Sequence, residues 1–376
     1  MKKIITIFLF LFSTIGYSQS PLFDSVSSLL KPAIISAANN NLSEKPITVT
    51  SFNSVRSAGG KHDFFSEGDY WWPDSSNPNG PYIQKDGLTN PDNFTAHRKA
   101  MIRLSKIVAN QTSAYLITGK TIYAKQAIKH IKAWFVDTNT MMNPNLLYAQ
   151  AIKGKVTGRG IGIIDMIQMI EVAKSIQILE KTSLIRPSDS LKIHQWFSNY
   201  LNWVTTHPYG IEERNAKNNH GTCWIMQVSA FADLVNDTIL FNECKDRFLN
   251  VIIPNQMDDR GAFPLELKRT KPYGYSLFNL DAVMTIAHTY KINNLPLKKS
   301  VEFLYPYVQD KKSWPYPKDV MYWDEWPVAH PSLLFGYIHY NESNWFNTWK
   351  KLNHFPTNEE VIRNLPIRNP LIWLID

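Results

Sequence analysis

Apolar residues recur along most of this chain every three or four positions. In "KTIYAKQAIKHIKAWF" (120–135), Ala124, Ala127, Ile128, Ile131 and Trp134 share one helical face, and Lys125, Lys129 and Lys132 lie on the other. Ile163, Met166, Ile167 and Ile170 form a similar stripe. Comparable patterns predict helices over 24–37, 94–117, 188–205, 217–235, 239–253, 275–291, 297–308 and 331–339. The breaks between them are short: "TGK" at 118–120, "RPS" at 186–188 and "NN" at 293–294. Such connections place successive helices antiparallel. The chain therefore reads as a series of αα-hairpins, either an open solenoid or a closed toroid. No fixed-period repeat is visible, which favours an all-α (α/α) toroid. Strand signals are sparse, and "ITVTSF" at 47–52 is the best of them.

A toroid leaves a cleft at one end, lined by loops. Two long loops, 66–93 and 311–331, mix Trp and Tyr with Pro, Asp and Asn, as a binding groove requires. No low-complexity linker interrupts 19–376, which is read as one domain. Ahead of it, residues 1–18 carry Lys2 and Lys3, an apolar run from Ile4 to Phe12, and the small residues Gly16 and Ser18. That is the pattern of a secretory signal peptide cleaved after Ser18, so an exported protein, periplasmic or secreted, is expected. No later segment is apolar for long enough to span a membrane.

Aromatic residues make up 13% of the 376 positions, which suits sugar stacking as well as a packed core. The formal charge is +8, or +6 without Lys2 and Lys3, a balance that suits an acidic polymer. No basic run points to nucleic acid. Cys223 and Cys244 are the only cysteines, and no Cys/His spacing resembles a metal site, so no metal and no cofactor is expected.

The candidate chemistry begins at "AKNNHGTCW" (216–224), where three hydrogen-bonding side chains head a strongly apolar helix. Helix capping explains one of Asn218 and Asn219, but not both together with His220. A second unusual stretch, 259–280, crowds Glu266, Lys268, Arg269 and Lys271 against Tyr273 and Tyr275. A third, 143–159, offers Asn145, Tyr148, Gln150 and Arg159. Removing a proton α to a carboxylate uses such groups. Amide, His and Arg donors stabilise the dianionic enolate of a uronic acid, and a tyrosine moves the proton. Such a tyrosine needs its phenol brought down by neighbouring cations, with Arg269 and His220 as the candidates.

These residues resemble the motif of the alginate lyase superfamily: Asn218-Asn219-His220, then Arg269, then Tyr275. "GDYWWPD", "NPNLLYAQ" and "GRGIGIIDM" are similar to further motifs, so the resemblance spans residues 55–335. The spacing of six from Arg269 to Tyr275 looks like polysaccharide lyase family 38 rather than its relative, family 5. The tyrosine that adjoins a histidine in family 5 is not reproduced, because Ser276 follows Tyr275. The resemblance implies an (α/α) toroid and metal-independent β-elimination on an acidic polysaccharide such as alginate or glucuronan. Asn219 would neutralise the carboxylate, His220 assist it or act as base, and Arg269 hold the carboxylate or tune Tyr275, the acid and base. Tyr273 is the rival tyrosine. Trp71, Trp72, Asn145, Tyr148, Gln150, Arg159 and Asn218 are the expected substrate contacts, and a monomer is expected.

Two other classes stay open on the sequence. A toroid glycoside hydrolase needs two carboxylates in the cleft, which Asp258, Asp259, Glu266, Asp324 and Glu325 offer without selecting a pair. A non-catalytic sugar-binding protein would use the same aromatic loops.

Overall fold

A computed structural model describes residues 20–375, so the signal-peptide expectation lies outside the described residues. Helices form where the periodicity places them. The first is α1 (Pro21–Asn40), capped by the Ser20 hydroxyl, which accepts the Phe23 N–H at 3.1 Å. Three very short strands follow, β1 (Phe65–Glu67), β2 (Trp71–Trp72) and β3 (Ile83–Gln84). Next come α2 (Ala96–Thr118) and α3 (Thr121–Phe135), split at Gly119, whose φ of 67° suits a residue without a Cβ. After β4 (Tyr148–Ala151), the stripe beginning at Ile163 lies on a 3₁₀ stretch, Gly160–Gln168, that runs into α4 (Met169–Glu180). Proline opens both α5 (Pro187–Thr206) and α6 (Pro208–Arg214). The remaining helices are α7 (Asn219–Val235), α8 (Thr238–Arg247), α9 (Ile253–Gln256), α10 (Pro264–Leu267), α11 (Pro272–Tyr290), α12 (Leu295–Gln309), α13 (Pro331–Tyr340), α14 (Ser343–Trp349) and α15 (Glu359–Arg363). The single helix expected over 239–253 is α8 and α9 joined by a π turn, Phe248–Ile252.

Helices α2, α4, α7, α11 and α13 pack side by side in that order. Each of α3, α8, α12 and α14 folds back on the helix before it, and α5 packs on α3 and α7. This is the helical toroid expected from the pattern. Its inner helices are buried on every side: in α11 all residues except His288 and Thr289 are buried. Outer α3 keeps the amphipathic face, with Lys125 and Lys129 exposed. Much of the aromatic content is core. Phe135, Trp196, Phe197, Tyr200 and Phe231 pack ring to ring at 4.7–5.6 Å.

The strand expected at 47–52 is a 3₁₀ turn, Val49–Ser51. The Thr48 hydroxyl accepts the Thr50 N–H and the Ser51 hydroxyl accepts the Thr48 N–H, so the backbone closes on its own side chains. The sheets lie in the loops instead. Parallel to β4, β1 ties the 66–93 loop to the 143–159 loop, and β2 pairs antiparallel with β3.

Candidate active site

The 66–93 and 143–159 loops, the α6–α7 junction and the start of α11 enclose a cavity of about 630 Å³. Its floor at "NNHG" answers why polar residues head an apolar helix. Asn218 makes no side-chain cap. Glu266, on α10, caps α7 from outside: its two oxygens accept the Asn219 backbone N–H and the Asn219 side-chain amide, each at 2.8 Å. A carboxylate at a helix N-terminus is favourable, and this one also orients the amide. Gly221 is needed next, because a Cβ there would lie 2.3 Å from the Ala216 carbonyl oxygen. The His220 Nδ1–H donates to Glu213 Oε1 at 2.7 Å. In the neutral ring with that tautomer, Nε2 is the nitrogen left to accept a proton. Burial pushes the Glu213 and Glu266 carboxyls up, and their His220 and Asn219 donors pull them back.

Tyr275 sits across the cavity, its hydroxyl 2.7 Å from the Tyr70 hydroxyl. The Arg269 guanidinium lies 4.5 Å from the centre of the Tyr275 ring and donates to Asp86 at 2.8 Å. Burial holds the Tyr275 phenol well above its ordinary value, Tyr70 acts in the same direction, and Arg269 acts against both. The expectation of a phenol brought down by Arg269 and His220 is thus corrected: desolvation outweighs Arg269, and His220 is turned toward Glu213. Under the site lies a chain of buried charges. Arg363 donates to Asp69 at 2.9 Å, and Arg98 donates to the same carboxylate at 2.6 and 3.0 Å. Burial alone would raise the Asp69 carboxyl, but the two arginines bring it to about 2.

Trp71, Gln150, Arg159, Asn218, Asn219, His220, Arg269 and Tyr275 all line this cavity. Arg159 donates to the Gln150 side chain at 3.0 Å and lies 5.8 Å from the Trp71 ring. Three expected contacts lie elsewhere. Trp72 donates its indole N–H to the Leu88 carbonyl, and Asn145 closes a turn onto the Leu147 N–H. The Tyr148 ring packs on Gly59. Regular strand alternation would put Tyr148 and Gln150 on one face, but Gln150 has a φ of 51° and the alternation breaks there. Tyr273, the rival tyrosine, is fully buried and donates to the Tyr307 carbonyl at 2.9 Å. The 311–331 loop was expected in the cleft, yet none of its residues line the cavity. Its Trp314 and Trp323 pack on Tyr273, and its Asp319 caps α11 through the Tyr273 and Gly274 N–H groups.

The sequence reading does not single out Tyr70, Asp86, Glu213 or Arg363, and it names Lys271 only as one of the crowded charges of 259–280. Tyr70 stands beside the chosen tryptophans in "GDYWWPD". Glu213 lies seven residues before His220, across a helix break that hides the pairing. Glu266, expected as one of the crowded charges of 259–280 or as a hydrolase acid, is instead the cap of α7. Cys223 and Cys244 are both free and buried, and burial pushes the Cys244 thiol up to about 12.

A family model described as alginate lyase matches residues 48–314 of the chain. Among solved structures, an alginate lyase from Bacteroides ovatus is similar with a TM-score of 0.79 and 28% identity, over 95% of this chain and 98% of that one. Alginate lyase A1-III of Sphingomonas species A1, as a variant complexed with a tetrasaccharide, shares the fold at a TM-score of 0.51 and 14% identity over 81% of each chain. A comparison with curated proteins finds no match.

Proposed function

The chain belongs to the alginate lyase family and is a polysaccharide lyase, and on that premise we propose that it cleaves a polyuronate, alginate foremost, by metal-independent β-elimination. The observation that carries this reading is the convergence of Asn219, His220, Arg269 and Tyr275 on one cavity. Asn219 and Arg269 take the C6 carboxylate and hold the charge that develops there as the C5–H bond breaks. When the C5 hydrogen lies on the tyrosine side, Tyr275 removes it and returns a proton to O4. When it lies on the opposite face, the Nε2 of His220 takes it and the Tyr275 phenol protonates O4. In each case the C4–O4 bond breaks, a C4=C5 double bond forms, and O4 leaves as a hydroxyl. The pattern at 1–18 supports an exported enzyme that meets its polymer outside the cytoplasm.

Glycoside hydrolysis finds less support. Asp258, Asp259, Glu266, Asp324 and Glu325 are all absent from the cavity lining. Of the four carboxylates that do line it, Asp69 and Asp86 are held by arginines and Glu213 by His220, which leaves Glu212 without the second carboxylate that hydrolysis needs. The test is to mix the protein with alginate and with glucuronan in excess EDTA. Ultraviolet absorbance from the new C4=C5 bond is expected. New reducing ends without that absorbance would overturn elimination in favour of hydrolysis.

A further inference from the structure

Lys271 stands where neither burial nor position favours a lysine. It is the residue before the first turn of α11, so its charge faces the positive end of the helix dipole. Its side chain is 5% exposed. Buried lysines are scarce unless they are paired, and this one is held by Glu360 of α15 at 2.6 Å. Three tyrosine rings surround the ammonium: Tyr275 at 5.0 Å, Tyr70 at 5.1 Å and Tyr322 at 5.3 Å. Two of them carry the paired hydroxyls of the site.

We propose that Lys271 is a positioning residue of this enzyme, whose caged ammonium supplies the positive charge that lets the Tyr275–Tyr70 hydroxyl pair give up a proton. The inference rests on the elimination reading, in which Tyr275 acts as base on one class of uronate. A phenolate buried at Tyr275 needs more compensation than Arg269 provides, since Arg269 is itself neutralised by Asp86. Lys271 is the next cation. Glu360 sets how much of its charge is left over, and Glu360 is shared with Arg363 at 3.0 Å. The other charged and titratable groups around Lys271 are Asp69 of the 66–93 loop, Arg363 of α15, and Asp319 and Tyr322 of the 311–331 loop. Asp69 is balanced by two arginines, and Asp319 is occupied by two α11 N–H groups. Two substitutions therefore change the charge near the hydroxyls in opposite directions. Lys271→Met removes a positive charge, and Glu360→Gln removes the negative charge that offsets it.

The experiment is the pH dependence of kcat/KM on mannuronate-rich alginate, with thermal unfolding run on each variant. Activity that depends on a deprotonated tyrosine rises with pH along an acidic limb. In Lys271→Met this limb should move to higher pH by about one unit, giving about tenfold less activity at neutral pH and recovery in alkali. In Glu360→Gln it should move to lower pH. A purely structural lysine would depress kcat at every pH in both variants and leave the limb in place, which would overturn the proposal. So would a shift in the same direction for both. If Lys271→Met does not fold, Glu360→Gln decides: a limb that stays or rises overturns the proposal. Wild-type protein that eliminates normally beside an unmoved limb sinks this inference alone. Wild-type protein that forms no unsaturated ends on any polyuronate removes the elimination reading and this inference with it.

Discussion

Tyr273 and Tyr275 lie two positions apart on α11, and helical geometry sends them to different places. Tyr275 reaches the cavity and meets Tyr70, while Tyr273 is sealed under Trp314 and Trp323. Phenylalanine separates their roles. Tyr275→Phe should lower kcat by about 10²-fold to 10⁴-fold, the usual range for a lost general acid–base group, and leave binding of an oligouronate in place. Tyr273→Phe should leave kcat near wild type but lower stability by about 1 kcal/mol, because the buried Tyr307 carbonyl loses its donor. Steady-state kinetics and urea unfolding of both variants check this, and the reverse pattern would exchange their assignments. The spacing from Arg269, set against the family motif that the sequence resembles, singled out Tyr275. Its partner Tyr70 lies 205 residues away in sequence, and no local pattern joins the two.

At the level of elements, the two helices that carry the site are capped from a distance, α7 by Glu266 and α11 by Asp319. Sequence reasoning looks for caps within a turn of the helix start. It therefore credits Asn218 or Asn219 with a task that belongs to a carboxylate 47 residues downstream of Asn219. A third element, α6, delivers Glu213 to His220. It does so only because Gly210 lets α6 fold tightly against α5; a Cβ on Gly210 would lie 1.9 Å from the Val204 carbonyl oxygen. Gly210→Ala should force the two helices apart and cost about 2 kcal/mol or more in urea unfolding. It should also lower kcat, since Glu213 moves with its helix. Wild-type stability and activity in that variant would mean that the α5–α6 turn has room the structure does not show.

For the whole molecule, histidines such as the buried His130 and the half-buried His288 make stability depend on pH. Burial brings His130 and His288 down to about 4, helped at His130 by the Arg103 and Lys129 charges. A histidine kept neutral in the fold but protonated when unfolded contributes stability that is complete above about 6.5 and is lost as pH falls toward 4. Each is worth on the order of 3 kcal/mol across that window. Glu171, Glu213 and Glu266, raised by burial, act in the opposite sense. The measurement that isolates the histidine compares urea unfolding of wild type and His130→Gln between pH 7 and pH 4. The wild-type loss should be the larger, and equal slopes would refute the assignment. The long helices, their order and their antiparallel turns were legible in the chain, because a 3.6-residue apolar period and Gly, Pro or Asn at a break act over a few residues, whereas the short α6, α10, α14 and α15 were not. The quartet Asn219, His220, Arg269 and Tyr275 was picked out because chemistry limits which side chains can serve a carboxylate and because their spacing resembles the family motif. Tertiary structure alone decided that Glu266 and Glu213 orient Asn219 and His220, that Gln150 faces the cavity while Tyr148 does not, and that the 311–331 loop caps α11 instead of lining the cleft. Those outcomes rest on hydrogen bonds and burial between segments separated by a helix break or by tens of residues, which no periodicity along the chain encodes.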